Sequence, residues 1–250
     1  MIATVVEDLR RLAVEAVRRY HRLEIDLPDE IPDGPILFIA NHGFGSLFDL
    51  NVLATLAALD DLGLDRPVTT LVHQIAWTVG LGPLLEQLGC RPASRSAAQE
   101  ALAAGRHVLV FPGGDLDAFK AHKDKDRIVF GGRTGFARLA IEQDVPIVPV
   151  VTAGAGNTLL VLDDGQRWAR GLKLDQLLRL KALPVSLTFP WGLNVGLAGF
   201  LPYLPVPVRL RTRVLPAQRW PVGEGDAAQF AHRVEEAMQA ALDVLAARSE

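Results

Sequence analysis

The sequence predicts an α/β fold in which a largely parallel central sheet is flanked by helices, with an N-terminal amphipathic helix and a C-terminal helix. Two observations predict it. Short apolar runs of strand length alternate with stretches of helical periodicity, which is typical of parallel strands joined by helices. The chain also has 250 residues with 49% hydrophobic content, enough to bury a sizeable core. We therefore expect a single domain over residues 1–250.

The individual elements follow from local patterns. An amphipathic helix is predicted within residues 1–23, because apolar residues of the segment 3–22 recur at helical spacing while most arginines fall elsewhere. Buried strands are predicted at 35–40, 68–72, 107–111, 145–151 and 208–214. Helices are predicted at 47–59, 96–104, 134–143, 168–180 and 226–247, and Gly105 suits the C-cap of the second. The segment 77–88 is apolar, and 188–208 is interpreted as an apolar loop because its prolines interrupt any helix.

Composition and charge argue against several classes of protein. A net charge of −3 with no basic stripe gives no reason to expect nucleic acid as a partner. Cys90 is the only cysteine, which excludes an intrachain disulfide and a cysteine-based zinc site and fits a cytoplasmic setting. The N-terminal segment lacks the apolar run of a signal peptide, and no stretch predicts a transmembrane helix.

The most informative stretch begins where the strand at 35–40 ends, at Asn41 and His42, with Asp49 following shortly after. Histidine is the side chain best suited to taking a proton near neutral pH, and a carboxylate can fix its tautomer. The alternative is that His42 only ends a strand and that Asp49 starts a helix, as aspartate often does.

A second candidate loop follows the strand at 107–111, at Phe111-Pro112-Gly113-Gly114. Sites in α/β sheets collect at the carboxyl ends of strands, and paired glycines let backbone N–H groups approach a ligand or an oxyanion. An ordinary tight turn is the alternative.

These two loops, with Gly135–Ala140 leading into Val145–Val150, resemble three ordered blocks of the glycerolipid and lysophospholipid acyltransferase superfamily. The resemblance covers roughly residues 33–215, the expected acyltransferase core. A looser fourth block would fall at Leu183-Pro184 and 189–192.

The resemblance implies direct acyl transfer from acyl-CoA or acyl carrier protein to a hydroxyl acceptor, without a covalent enzyme intermediate. It implies that His42 is the general base and that Asp49 orients it. The remaining residues that it implies at the substrate are Asn41, Phe111, Pro112, Gly113, Gly114, Asp115 and Arg133. No metal or organic cofactor is expected beyond the co-substrate, although a metal held by His42, Asp49 and Asp115 stays open.

Two departures from the family pattern concern the acceptor. Six residues separate His42 and Asp49, instead of the commoner four, as in the branch that contains neutral-lipid and phytyl-ester acyltransferases. Phosphate-binding members carry Pro-Glu-Gly-Thr-Arg, where this chain has Gly113 and Leu116. The two aspartates at 115 and 117 would repel a phosphate. We therefore expect an uncharged acceptor, unless Arg133 compensates; Arg91, Arg95 and Arg127 are weaker candidates for that role.

Membrane association is a separate expectation. The N-terminal helix and the leucine-rich basic segment 167–181 favour peripheral binding at the inner face of a membrane, although both could instead pack on the core. The sequence does not indicate an oligomeric state.

Other functions are less well supported. No Gly-x-Ser-x-Gly or P-loop motif is present, and Gly154-Ala155-Gly156 is only a partial dinucleotide-binding pattern. The non-enzymatic alternative is a lipid- or acyl-CoA-binding protein with the same fold and no turnover.

Overall fold

A computed structural model describes residues 2–44, 49–78, 80–171, 184–189, 191–196, 204–220 and 226–248. Its helices are α1 (Ile2–Tyr20), α2 (Leu50–Asp61), α3 (Ile75–Thr78), α4 (Gly82–Gln87), α5 (Arg95–Ala103), α6 (Gly114–Ala118), α7 (Gly135–Glu142), α8 (Gln166–Gly171) and α9 (Ala227–Ala247). Its strands are β1 (Glu24–Asp26), β2 (Leu37–Ala40), β3 (Val68–Val72), β4 (Cys90–Pro92), β5 (His107–Val110), β6 (Ile147–Ala153), β7 (Leu160–Asp163), β8 (Val185–Thr188), β9 (Gly192–Val195) and β10 (Arg211–Val214).

Seven strands form the central sheet in the order β1-β10-β6-β2-β5-β3-β4. All neighbours pair in parallel except β10 and β6, which are antiparallel. Strands β2, β5 and β6 lie in the middle, and all residues of β2 and β6 are buried. The predicted fold class is therefore confirmed.

Buried side chains cover both faces of this sheet. The larger cluster joins β6 and β5 to α5, α7 and α9, with Phe230, Val234 and Met238 of α9 at 1% exposure or less. The smaller cluster packs α2 against the other face, around Phe38 and Val148. Because β2 and β5 are adjacent and parallel, the loops after them open at the same edge of the sheet.

Several elements differ from the sequence prediction. The apolar segment 77–88 contributes to two short helices, α3 and α4, and the loop after β5 contains α6. Helix α8 is described as far as Gly171, and the rest of the predicted helix 168–180 lies outside the described residues. Strands β1 and β4 are three-residue edge strands, too short to produce a periodic pattern.

The main correction is a second sheet. Strands β7, β8 and β9 form an antiparallel sheet, and part of it lies in the stretch interpreted as an apolar loop. The prolines that exclude a helix there do not exclude a hairpin. Within the described residues, no helix is both long and apolar enough to cross a bilayer.

Candidate active site

His42 and Asp49 meet at the carboxyl end of β2. Nδ1 of His42 lies 2.6 Å from Oδ2 of Asp49. The Asp49 side chain is fully buried, whereas the imidazole keeps 17% of its surface exposed. An ionised carboxylate can only accept hydrogen bonds, so the neutral ring carries its proton on Nδ1 and keeps a lone pair on Nε2. The structure thus brings the predicted pair together.

Asp49 also holds the backbone around the histidine. Its Oδ1 accepts hydrogen bonds from the N–H groups of Gly43 at 3.1 Å and Asn51 at 2.8 Å. The hydrogen bond from the N–H of Asn51 makes Asp49 the N-cap residue of α2, so Asp49 both starts a helix and bonds to the imidazole. Gly43 allows this close approach, because a Cβ there would lie 2.8 Å from Cβ of Ala155 and 3.0 Å from Oδ1 of Asp49.

Asn41 joins the His42 loop to β6. Its Nδ2 donates to the carbonyl of Thr152 at 3.0 Å, and its Oδ1 accepts from the N–H of Thr152 at 2.9 Å. The Nδ2 of Asn51 reaches the carbonyl oxygens of Asn41 and Thr152, both at 3.3 Å. Because Asn41 is only 2% exposed and both its polar atoms bond to backbone, the expected substrate contact does not fit this placement. Its side chain holds the loop instead.

Phe111 lies against the histidine, and the glycine pair follows it in a tight turn. The ring centroids of Phe111 and His42 are 4.7 Å apart with an interplanar angle of 32°. The N–H of Gly114 bonds to the carbonyl of Phe111 at 3.2 Å, closing the turn, and Gly114 has a left-handed φ of +51°. Because the N–H of Gly114 is used within the turn, the N–H of Gly113 is the candidate oxyanion donor of the two glycines.

Arg133 clamps this turn. Its Nη1 donates to the carbonyl oxygens of Pro112, at 2.7 Å, and Gly113, and its Nη2 lies 3.2 Å from Oδ1 of Asp115. The guanidinium is therefore committed to backbone carbonyls and a carboxylate. Binding of an acceptor phosphate by Arg133 stays a prediction, which these contacts disfavour.

Asp117 and Lys120 form an ion pair behind the histidine. The side chain of Asp117 is fully buried, and its Oδ1 lies 2.9 Å from Nζ of Lys120. Its Oδ2 accepts from the N–H of His42 at 2.7 Å, and its Oδ1 also accepts from the N–H of Val129 at 3.2 Å. Lys120 donates in addition to the carbonyl of Arg127 at 2.8 Å.

These contacts change the interpretation of the acidic loop. The charge of Asp117 is compensated by Lys120, and that of Asp115 by Arg133. The phosphate repulsion inferred from the sequence therefore carries less weight, because each carboxylate has a cation beside it.

A narrow cleft of about 20 Å³ opens beside His42. Gly43 and Phe44 line one side of it, and Lys120, His122 and Lys125 contribute basic groups. The end of β6 and the loop after it close another side with residues 152–156, so the partial glycine pattern noted there serves as a wall of this cleft. Asn51 also lines the cleft, and its buried Oδ1 has no partner among the described residues.

The comparison with protein families decides the class of protein. Residues 22–153, which are 132 of the 250, match the family model described as "Acyltransferase". The chain belongs to this acyltransferase family. The match includes both strand-end loops that the sequence singled out, and the resemblance to glycerolipid acyltransferases is confirmed.

Individual relatives of this acyltransferase are distant. An uncharacterized protein of Mycobacterium tuberculosis is 29% identical over 182 residues, covering 72% of this chain and 49% of that protein. A "DGAT1/2-independent enzyme synthesizing storage lipids" of Gallus gallus is 27% identical over 192 residues, covering 75% of this chain and 54% of that protein. The chain thus spans about half the length of these curated relatives.

A solved structure shows the same fold. The crystal structure of the 1-acyl-sn-glycerophosphate (LPA) acyltransferase PlsC from Thermotoga maritima aligns with a TM-score of 0.57. The alignment covers 96% of this chain and 80% of the PlsC chain at 14% sequence identity.

Sequence reasoning missed three side chains that shape the site of this acyltransferase. The sequence indicates no role for Asn51 or Lys120, and for Asp117 it indicates only a charge that would repel a phosphate. The i, i+3 spacing of Asp117 and Lys120 was an available signal for their pairing. No local pattern indicates that their partners include the backbone of His42, which is 75 residues from Asp117 in the sequence. In the described ranges, no group of three or more His, Cys, Asp or Glu side chains is arranged to hold a metal ion.

Proposed function

We propose that this acyltransferase moves an acyl group from a thioester donor, acyl-CoA or acyl carrier protein, to the hydroxyl of a lipid or alcohol, with His42 as general base. The observation that carries the proposal is the bond of 2.6 Å between Nδ1 of His42 and the buried carboxylate of Asp49. It directs the basic nitrogen of a partly exposed imidazole, at the edge of a cleft, toward a substrate.

The proposed reaction needs no covalent enzyme intermediate. Nε2 of His42 takes the proton of the acceptor hydroxyl while the oxygen attacks the thioester carbonyl carbon. Asp49 stabilises the imidazolium that forms, and the N–H of Gly113 is the candidate donor to the oxyanion. When the C–S bond breaks, the departing sulfur takes the proton from the imidazolium, leaving an ester and a free thiol.

We propose an uncharged hydroxyl compound as the acceptor. Leu116 stands where phosphate-binding relatives carry arginine, and the guanidinium of Arg133 is committed to the turn. The similarity to enzymes described as synthesizing storage lipids supports the same choice.

A phosphate-bearing acceptor is the second candidate, and Lys125 favours it. Its Nζ lies beside the cleft, bonded to the neutral Oδ1 of Asn157 at 2.6 Å, with the nearest carboxylate oxygen, on Asp126, 3.9 Å away. An ammonium group placed in this way retains capacity for an anion. If this candidate holds, Lys125→Met raises KM for a phosphate-bearing acceptor and leaves KM for diacylglycerol unchanged.

The test is a thiol-release assay with acyl-CoA and acyl carrier protein donors against lysophosphatidate, glycerol 3-phosphate, diacylglycerol and a long-chain alcohol. The expected result is thiol release and ester formation with the uncharged acceptors. Burial raises the pKa of the Cys90 thiol to about 11, so this thiol adds little background to a thiol reagent at pH 8. Absence of turnover with every donor and acceptor pair would contradict the proposal.

His42→Ala tests the general base. Loss of general-base catalysis is expected to lower kcat by about 10²–10⁴-fold with little change in donor binding. His232→Ala is the matched control, because His232 is 71% exposed on α9 and pairs with Glu236. A protein that binds acyl-CoA equally well with and without His42, and never releases thiol, would instead be the non-enzymatic lipid-binding alternative.

We also propose that the chain works at the inner face of a membrane. Val5, Leu9 and Leu12 lie on one side of α1 at i, i+4 and i+7 and are 53–65% exposed. The small sheet adds a cross-strand row of Leu160, Leu187 and Leu193, all exposed. Exposed aliphatic side chains grouped in this way favour contact with a lipid surface.

Co-sedimentation with phosphatidylglycerol vesicles at low salt tests this binding. The wild type is expected to pellet, and Leu187→Ser with Leu193→Ser is expected to reduce the bound fraction. Arg10 and Arg18 already pair with Asp60 and Asp61 of α2, so the basic residues of α1 are not all available to anionic lipid. A wild type that stays in the supernatant would overturn the membrane proposal without affecting the assignment of His42.

A further inference from the structure

We infer that Asp117, from within α6, is a positioning residue for the general base. The inference rests on the proposed function. It starts from the Pro-Gly-Gly turn, where the absence of a side chain on Gly113 leaves room for that of Asp117.

The space at Gly113 is already occupied. A Cβ there would overlap the side chain of Asp117 and would lie 2.6 Å from the carbonyl oxygen of Val129. The φ of Gly113 is −61°, which any residue can adopt, so sterics rather than backbone conformation require glycine. A side chain at 113 and the carboxylate of Asp117 therefore exclude each other.

Asp117 holds the histidine through its backbone. Its Oδ2 accepts from the N–H of His42 at 2.7 Å, whereas Asp49 holds the ring and the N–H of the next residue. Lys120 adds a longer contact of 3.4 Å to the carbonyl oxygen of His42. The peptide groups on both sides of the base are thus held by one buried ion pair.

The ion pair is built to stay in one arrangement. Asp117 is 0% and Lys120 9% exposed, and both bond to additional backbone groups, on Val129 and Arg127. A buried ion pair is costly to break because one charge remains uncompensated. These backbone bonds tie the strand-end loop of His42 to the loop after α6, which links the two motifs of the site.

The test is Asp117→Asn measured by thiol release, with Asp124→Asn as the matched control. Asp124 lies seven residues along, and its side chain makes only a 3.6 Å pair with exposed Arg127 among the described residues. A displaced base is expected to lower kcat of Asp117→Asn about a hundred-fold, with KM for donor and acceptor within about two-fold of wild type. Wild-type kcat in Asp117→Asn would overturn the inference.

A test in the His42→Ala protein separates a positioning role of Asp117 from an effect on stability. In a His42→Ala protein, Asp117→Asn is expected to lower the residual rate no further, because the group it positions is absent. An additional hundred-fold fall in that background would overturn the inference. If Asp117→Asn does not fold, Asp117→Asn with Lys120→Met removes both buried charges and serves in its place.

The amide of His42 gives a readout independent of turnover. In protein labelled with ¹⁵N-histidine, the N–H of His42 is expected to resonate downfield because it donates to a carboxylate, and to move upfield in Asp117→Asn. An unmoved resonance would overturn the inference. If the wild type turns over no substrate, the proposed function fails, and this resonance still decides whether Asp117 holds His42.

Discussion

Asp49 holds His42 in a single tautomer, through a bond of 2.6 Å between its Oδ2 and Nδ1 of the ring. The other oxygen of Asp49 is fixed by two backbone N–H groups, so the carboxylate cannot rotate without breaking the N-cap of α2. The orientation of the imidazole is therefore coupled to the start of a helix that packs on the core.

Asp49→Asn is predicted to lower kcat by about 10³–10⁴-fold while the protein stays folded. An amide NH₂ facing Nδ1 favours the tautomer with the proton on Nε2, which removes the basic lone pair, whereas asparagine still caps a helix. Thiol release and thermal unfolding measure the two effects. Asp226→Asn, at the N-cap of α9, is the matched control and should keep full activity. Equal kcat in wild type and Asp49→Asn would remove Asp49 from the mechanism.

Arg133→Met is predicted to lower activity toward charged and uncharged acceptors by the same factor, about ten-fold or more, and to lower Tm. Its guanidinium holds the carbonyl oxygens of Pro112 and Gly113, so its loss loosens the turn beside His42 for every substrate. The measurement is kcat/KM for lysophosphatidate and for diacylglycerol. A loss confined to lysophosphatidate would show that Arg133 binds phosphate after all. Arg138→Met, on the following helix, is the control.

Stability is predicted to fall as the pH drops below about 6.5. His107 is 1% exposed, and its Nδ1 accepts the N–H of Ile36 at 3.1 Å, which requires a neutral ring. Burial lowers the pKa of His107 below its usual value of 6.5. As the pH falls through 6.5, this histidine is protonated in the unfolded chain before it is protonated in the folded protein. The free energy of unfolding therefore decreases until the pH falls below the pKa of His107 in the folded protein.

Thermal unfolding at pH 7.5 and pH 5.0 measures this effect, with about 2–4 °C of Tm expected for every kcal/mol lost. His107→Asn keeps an acceptor near the Nδ1 position but does not titrate, so the difference in Tm between the two pH values should shrink. Burial also lowers the pKa of His21, so His21 still contributes to the fall in Tm at pH 5.0 in the His107→Asn protein. His232→Asn should leave the difference unchanged; a wild-type Tm that rises at pH 5.0 would contradict the argument.

The middle of the central sheet was predictable because β2, β5 and β6 are mostly apolar. The strand at 68–72 was predicted at its observed bounds. The predicted start of the C-terminal helix, Asp226, is its N-cap residue, and the helix itself begins at Ala227. The small sheet was missed for the opposite reason. Its strands are only four residues long, and in β8 the alternation is inverted, because Ser186 and Thr188 are buried while Leu187 is exposed.

By itself, the sequence determined the fold class, the family blocks and the two loops at which the site lies. Strand periodicity and glycine positions are local properties, and they place His42 and the Pro-Gly-Gly turn at one edge of a parallel sheet. Tertiary structure decided what each charged residue does. It places Arg133 against the carbonyl oxygens of the Pro-Gly-Gly turn and Asp117 against the N–H of His42. Such partners are distant in sequence, and only folding determines which buried carboxylate meets which donor.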